Sequence, residues 1–97
     1  MDNEEIVREH WRVEGTVQGV GFRWGMQQLA KHYHITGWVK NLYNGDVEAE
    51  VQGTKEAIAK LEEDLRKGRY YYIDRIVRMR IPAENHESSF RVELYWD

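Results

Sequence analysis

Hydrophobic and polar residues alternate along the chain with two different periods. A period of two is typical of half-buried strands. It occurs over 11–17, 47–51, 73–81 and 90–96, and a further strand is expected over 36–42. Two other stretches have apolar residues three or four positions apart, which is typical of amphipathic helices. They consist of Phe22, Met26, Leu29, Ala30 and Tyr33, and of Ile58, Leu61 and Leu65.

Turn and cap residues agree with this division of the chain. Asn44-Gly45 is typical of a type I′ hairpin turn, because both positions of that turn need positive φ. Thr54 is a good N-cap for the second helix, and Pro82 ends the fourth strand. The element order is β-α-β-β-α-β plus a short C-terminal strand. This order predicts an α+β fold, a ferredoxin-like split β-α-β sandwich with two helices on one face of an antiparallel sheet.

Length and composition narrow the function. The 97 residues suffice for one domain, which is expected over 11–97 after a flexible segment over 1–10. The sequence has no cysteine, which excludes disulfides and a thiolate nucleophile. An acidic N-terminus and the lack of a long apolar stretch are untypical of signal peptides and membrane spans. The net charge of −3 is untypical of nucleic-acid binding. We therefore expect a cytoplasmic protein that binds neither membranes nor nucleic acids.

A glycine-rich segment over 15–23 connects the first strand to the first helix. It reads Gly15-Thr16-Val17-Gln18-Gly19-Val20-Gly21-Phe22-Arg23. Main-chain N–H groups in such a position lie at the positive end of a helix dipole and can bind an anion. Arg23 opposes that dipole. A bound phosphate would explain this cost, since a guanidinium can contact two phosphate oxygens. The residues therefore favour a phosphate site over a simple connection, although the spacing is not that of a Walker A loop.

Asn41 is expected near the end of the second strand. The residues alone leave two interpretations of it. It could be a turn-forming residue before the hairpin, or an amide that holds a water molecule in line with a phosphorus atom. His32 and His34 do not predict a metal pair, because positions i and i+2 of a helix point in different directions. We expect no metal site.

Two motifs resemble those of the acylphosphatase family. The segment 15–23 is similar to the family's first signature, G-x-V-Q-G-V-x-F-R. The stretch 37–41, Gly-Trp-Val-Lys-Asn, is similar to the second, G-W-V-[RK]-N. Downstream residues that also match are Gly45, Val47, Glu48, Gln52 and Gly53. The resemblance covers about residues 11–97 and is strongest through Gly53.

The resemblance implies an acylphosphatase, a hydrolase that cleaves the carboxyl–phosphate anhydride of an acyl phosphate. It implies direct attack by water, with no metal, cofactor or phosphoenzyme. Arg23 matches the arginine that binds the phosphate, and Asn41 the asparagine that orients the water. The resemblance also implies that the loop main chain surrounds the phosphoryl group, over Thr16, Val17, Gln18, Gly19, Val20, Gly21 and Phe22. The expected partners are a small acyl phosphate and inorganic phosphate, as product and competitive inhibitor, and we expect a monomer.

Three alternative functions are compatible with this fold. Ferredoxin-like sheets with exposed aromatic residues bind single-stranded RNA by stacking, but the sequence has no RNP-like signature. The domain could instead serve a larger carbamoyl-transfer system, as in hydrogenase maturation proteins, which the lack of an appended zinc-finger region disfavours. A purely structural relative is disfavoured by the presence of both Arg23 and Asn41. Two questions stay open, namely the acyl group of the substrate and the role of Tyr70, Tyr71 and Tyr72.

Overall fold

The computed structural model describes residues 5–19 and 21–94. Its elements follow the predicted order of strands and helices. They are β1 (Ile6–Thr16), α1 (Phe22–His32), β2 (Thr36–Asn41), β3 (Val47–Thr54), α2 (Lys55–Leu65), β4 (Tyr72–Ile81) and β5 (Phe90–Val92). The predicted ferredoxin-like arrangement, with two helices packed against one sheet, is confirmed.

The sheet has the strand order β4-β1-β3-β2-β5. Its first four strands pair antiparallel, but β5 pairs parallel with β2. The prediction of an antiparallel sheet is therefore wrong at this edge. The cause is the connection 82–89, which crosses the face of the sheet opposite the helices and delivers β5 beside β2 in the same direction. Leu94 lies beyond β5, and the expected strand residue Trp96 lies outside the described residues.

The first strand begins earlier than the sequence pattern predicted. It starts at Ile6 rather than Trp11, so residues 6–10 belong to the sheet and not to a flexible segment. Val7 is buried on the helix side, whereas Arg8 is buried on the open side. There Arg8 Nε donates to Glu50 Oε1 at 2.9 Å and Nη1 to Glu87 Oε1 at 2.7 Å. The hydrophobic alternation does not extend into this part of the strand, because the polar residue Glu9 lies on the helix side between Val7 and Trp11.

The core lies between the helices and one face of the sheet. Its buried residues include Trp11, Val13, Phe22, Met26, Val39, Val47, Val51, Ile58, Leu61 and Leu65. On β4 the apolar residues Val77 and Met79 lie on the opposite, open face and are exposed, Met79 by 62%. Arg78 takes the helix side instead, with its guanidinium 5.0 Å from the centre of the Trp11 ring and hydrogen bonds to Glu9 and Glu62. Alternation on this edge strand therefore does not indicate its buried side.

The three consecutive tyrosines have different environments. Tyr71 packs edge-to-face on Phe22 with ring centroids 4.7 Å apart, and burial raises the pKa of its hydroxyl. Gly68 provides the space for this ring, since a Cβ there would lie 2.1 Å from it. Tyr70 and Tyr72 are exposed. Tyr71 therefore contributes to the packing of the core, whereas the roles of Tyr70 and Tyr72 stay open.

Gly37 allows β2 and β3 to approach closely, and its replacement should destabilise the fold. Its φ is 141°, and a Cβ added there would lie 1.9 Å from the carbonyl oxygen of Glu50. We expect Gly37→Ala to lower the free energy of unfolding by roughly 2–4 kcal/mol, through strain and overpacking. Urea denaturation measures this difference.

The matched control is Gly25→Ala, within α1. A Cβ at Gly25 meets no atom within 4 Å. This change should raise the free energy of unfolding by up to about 1 kcal/mol, because alanine favours the helix over glycine. Equal effects of the two substitutions would contradict the assignment of Gly37 to a close strand contact.

Candidate active site

The segment after β1 forms a tight loop with left-handed backbone at two glycines. Gly19 has a φ of 78° and Gly21 a φ of 80°. A β-carbon would oppose these angles, so glycine at both positions allows the chain to turn from β1 into α1. Val20, one of the predicted loop residues, lies outside the described residues. The loop ends at Gly21, which is the N-cap residue of α1.

The N-termini of the two helices differ in how their N–H groups are satisfied. In α2 the Thr54 hydroxyl accepts a hydrogen bond from the Ala57 N–H at 3.0 Å, and Glu56 lies in the first turn. In α1 no described side chain caps the first turn, which contains no acidic residue. The partial positive charge at this helix start is therefore available to an external anion.

Arg23 lies in that first turn and is held by the edge of the sheet. Its Nη1 donates to the carbonyl oxygen of Glu93 at 2.8 Å. The Glu93 N–H in turn donates to the carbonyl of Val39 at 2.8 Å, which extends the pairing of β5 with β2. Within the described part of the chain, this contact leaves the other guanidinium N–H groups for a ligand. The short parallel strand therefore fixes the position of Arg23.

Asn41 is the last residue of β2 and faces the same region. It is 3% exposed, and its Oδ1 has no hydrogen-bond partner among the described residues. An unpaired buried acceptor costs roughly 1–3 kcal/mol, so such groups are rare away from functional sites. The side chain lines a cavity of about 290 Å³. The geometry therefore provides a hydrogen-bond acceptor that a water molecule or ligand in this cavity can satisfy.

The cavity brings most of the predicted site residues together. Its lining consists of Val17, Gly19, Gly21, Phe22, Arg23, Trp24, Asn41 and Val92. Trp24 and Val92 were not predicted. Two predicted loop residues do not line it, because Thr16 is an exposed residue of β1 opposite Tyr72 and Gln18 points to the β2–β3 loop. Trp24 could have been found from its place next to Arg23, whereas Val92 had no local signal.

Gln18 connects the loop before α1 to the β2–β3 loop. Its Nε2 donates to the carbonyl oxygens of Leu42 and Asp46, both at 2.7 Å. The β2–β3 connection spans residues 42–46, and Asn44 does not have positive φ. The type I′ prediction is therefore wrong, because the loop is wider and presents two carbonyls to Gln18. This contact fixes the segment that follows Asn41 relative to the glycine loop.

A larger cavity of about 570 Å³ lies on the open face of the sheet, between Trp38 and the connection 82–89. The polar groups at its base already bond one another, since Arg8 pairs with Glu50 and Glu87. Burial alone would raise the pKa of Glu87, but hydrogen bonds from Arg8 and Thr36 outweigh it and lower the pKa. The smaller cavity, with its unpartnered acceptor, is therefore the better candidate site.

Two other features are absent from the described residues, namely a cluster of metal ligands and a membrane-spanning helix. The residues that the structure describes contain no group of three or more histidine or acidic side chains placed to hold a metal ion. In the same residues, neither helix has the length and hydrophobicity needed to cross a membrane.

Comparison with known proteins decides the family. The family model described as Acylphosphatase matches residues 9–92. This chain belongs to the acylphosphatase family. An acylphosphatase of Clostridium acetobutylicum is 43% identical over 82 residues, which cover 84% of this chain and 90% of that protein. One from Moorella thermoacetica is 34% identical over 87 residues, 90% of this chain and 94% of that protein. The structure of an acylphosphatase from Coxiella burnetii matches with a TM-score of 0.82 and 37% identity, over 91% of this chain and 93% of that one.

These matches confirm the family and the enzyme class predicted from the sequence. An acylphosphatase is a hydrolase that acts on acid anhydrides, and this chain is an enzyme of that type. The matches also agree with the ferredoxin-like fold described above.

Proposed function

We propose that this enzyme hydrolyses an acyl phosphate to a carboxylate and inorganic phosphate by direct attack of water, without a metal, cofactor or phosphoenzyme. Membership of the acylphosphatase family supports the activity. The observation that carries the mechanism is that Asn41 Oδ1, in the same cavity as Arg23, has no hydrogen-bond partner within the described part of the chain. One group can hold a water molecule while the other binds the phosphoryl oxygens.

The phosphoryl group binds between the glycine loop and Arg23. Main-chain N–H groups at the start of α1 and the free N–H groups of the guanidinium donate to its oxygens. The negative charge that moves onto the oxygens during transfer is thereby stabilised. The hydrogen bond from Arg23 to the Glu93 carbonyl oxygen holds the guanidinium in place before substrate binds. This reduces the entropy that Arg23 loses on substrate binding.

Asn41 Oδ1 accepts a hydrogen bond from the attacking water. The water oxygen bonds to phosphorus while the bond from phosphorus to the acyl oxygen breaks, and its electron pair leaves with the carboxylate. Because a carboxylate is a leaving group of low pKa, no general acid is needed. The proton lost by the water goes to an oxygen of the substrate phosphate. A pH–rate profile governed by an enzyme side chain near neutrality would contradict this last assignment.

The proposal extends to the partners and location of the enzyme. Inorganic phosphate, the product, occupies the same anion site and competes with substrate. The enzyme acts as a monomer. We place it in the cytoplasm, which agrees with a sequence that has no cysteine.

Hydrolysis of benzoyl phosphate in the presence of EDTA tests the activity and the metal-free mechanism together. We expect rapid release of benzoate and phosphate, unchanged by the chelator, with competitive inhibition by added phosphate. No turnover by folded enzyme would contradict the activity. Turnover that EDTA abolishes and a divalent cation restores would contradict the metal-free mechanism alone.

A further inference from the structure

Trp24 is a large aromatic side chain that the fold leaves uncovered. It is 66% exposed, although it lies in the first turn of α1 directly after Arg23. It also lines the cavity that contains Arg23 and Asn41. An exposed tryptophan at the rim of a polar site provides a flat apolar surface beside the reacting groups.

The rest of the cavity lining shows what this surface can contact. Val17 and Phe22 are buried by the fold and lie at the base. The phosphoryl group, bound by Arg23 and the glycine loop, occupies the polar part. This placement leaves the exposed side of the cavity, where Trp24 lies, for the acyl group. Among the described residues that line the cavity, Arg23 alone carries a charge, and the phosphate uses it.

We propose that Trp24 is a specificity-determining residue whose indole ring supports the acyl group of the substrate. This inference rests on the proposed function and names the substrate class of the same site. The ring favours uncharged aromatic and bulky apolar acyl phosphates over acetyl phosphate.

The ratio of kcat/KM for benzoyl phosphate to kcat/KM for acetyl phosphate tests the role of Trp24. An aromatic contact at a partly exposed site corresponds to a preference of about 3- to 10-fold. We expect Trp24→Ala to reduce the ratio by about that factor, and Trp24→Phe to retain most of it. The matched control is Tyr70→Ala, since Tyr70 is 75% exposed but does not line the cavity. An unchanged ratio in Trp24→Ala, or an equal decrease in Tyr70→Ala, would overturn the proposal.

A binding measurement separates this inference from the proposed hydrolysis. Calorimetry with benzylphosphonate and methylphosphonate compares an aromatic and a small substituent on a group that the enzyme cannot hydrolyse. We expect wild type to bind benzylphosphonate more tightly, and Trp24→Ala to lose that difference. If the binding preference depends on Trp24 while no acyl phosphate is hydrolysed, the proposed role of Trp24 is supported and the proposed reaction is wrong. If acyl phosphates are hydrolysed but the two phosphonates bind equally tightly, the proposed role of Trp24 is wrong and the proposed reaction is supported.

Discussion

Arg23→Lys is expected to lose about 100-fold or more in kcat/KM for an acyl phosphate, and Arg23→Ala at least as much. Lysine keeps the charge but carries it on a single nitrogen atom. It therefore lacks the planar fork of N–H groups with which arginine can contact two phosphoryl oxygens and the Glu93 carbonyl together. The same substitutions should weaken competitive inhibition by inorganic phosphate. Steady-state hydrolysis of benzoyl phosphate, with and without added phosphate, measures both effects.

Arg80 provides the matched control for this prediction. It is an exposed arginine on the edge strand β4, and it does not line the cavity. Arg80→Lys and Arg80→Ala make the same chemical changes away from the site, so activity and phosphate inhibition should stay near the wild-type values. If Arg23→Ala kept normal phosphate inhibition, the assignment of Arg23 to phosphate binding would be wrong.

Local patterns in the sequence predict the elements of this fold, but not how the elements face one another. Among the described residues, the periods of two and of three to four identified four of the strands and both helices, because those patterns depend on neighbours along the chain. The early part of β1 pairs with β3 and β4, and its Arg8 bonds Glu87, 79 residues away, so these interactions are distant in sequence. The orientation of β4 depends on Arg78 contacting Trp11 and Glu62. The direction of β5 depends on the path of the connection 82–89.

The same distinction between local patterns and contacts distant in sequence applies to the candidate site. The glycine loop, Arg23 and Asn41 belong to contiguous motifs, and the resemblance to a family supplied their expected roles. The contacts that fix these residues are distant in sequence. The main-chain carbonyl of Glu93 accepts a hydrogen bond from Arg23. Because every residue type has such a carbonyl, the sequence does not reveal this contact. Gln18 belongs to the loop predicted to surround the phosphate, and its side chain is bonded to the β2–β3 loop, a contact that the sequence did not predict.

Asn41→Ala is expected to lower kcat by about 100-fold or more while phosphate still binds with nearly wild-type affinity. The amide oxygen holds the attacking water, whereas Arg23 and the glycine loop hold the phosphoryl group. Benzoyl phosphate hydrolysis and calorimetric titration with phosphate measure the two effects separately. Equal losses in turnover and phosphate binding would mean that Asn41 contacts the phosphoryl group itself.

Stability measurements strengthen this test, because the same substitution has a second expected outcome. Asn41 Oδ1 is buried without a partner among the described residues, so its removal relieves a cost of burial. We expect the free energy of unfolding of Asn41→Ala to stay within about 1 kcal/mol of wild type, since an unsatisfied polar group contributes little to stability. The control is Asn44→Ala, which removes an exposed amide bonded to Asp46 outside the cavity and should preserve turnover. A large loss of stability in Asn41→Ala would show that its amide is structural. Loss of turnover with stability retained would show that the enzyme keeps an unpaired acceptor because the reaction uses it.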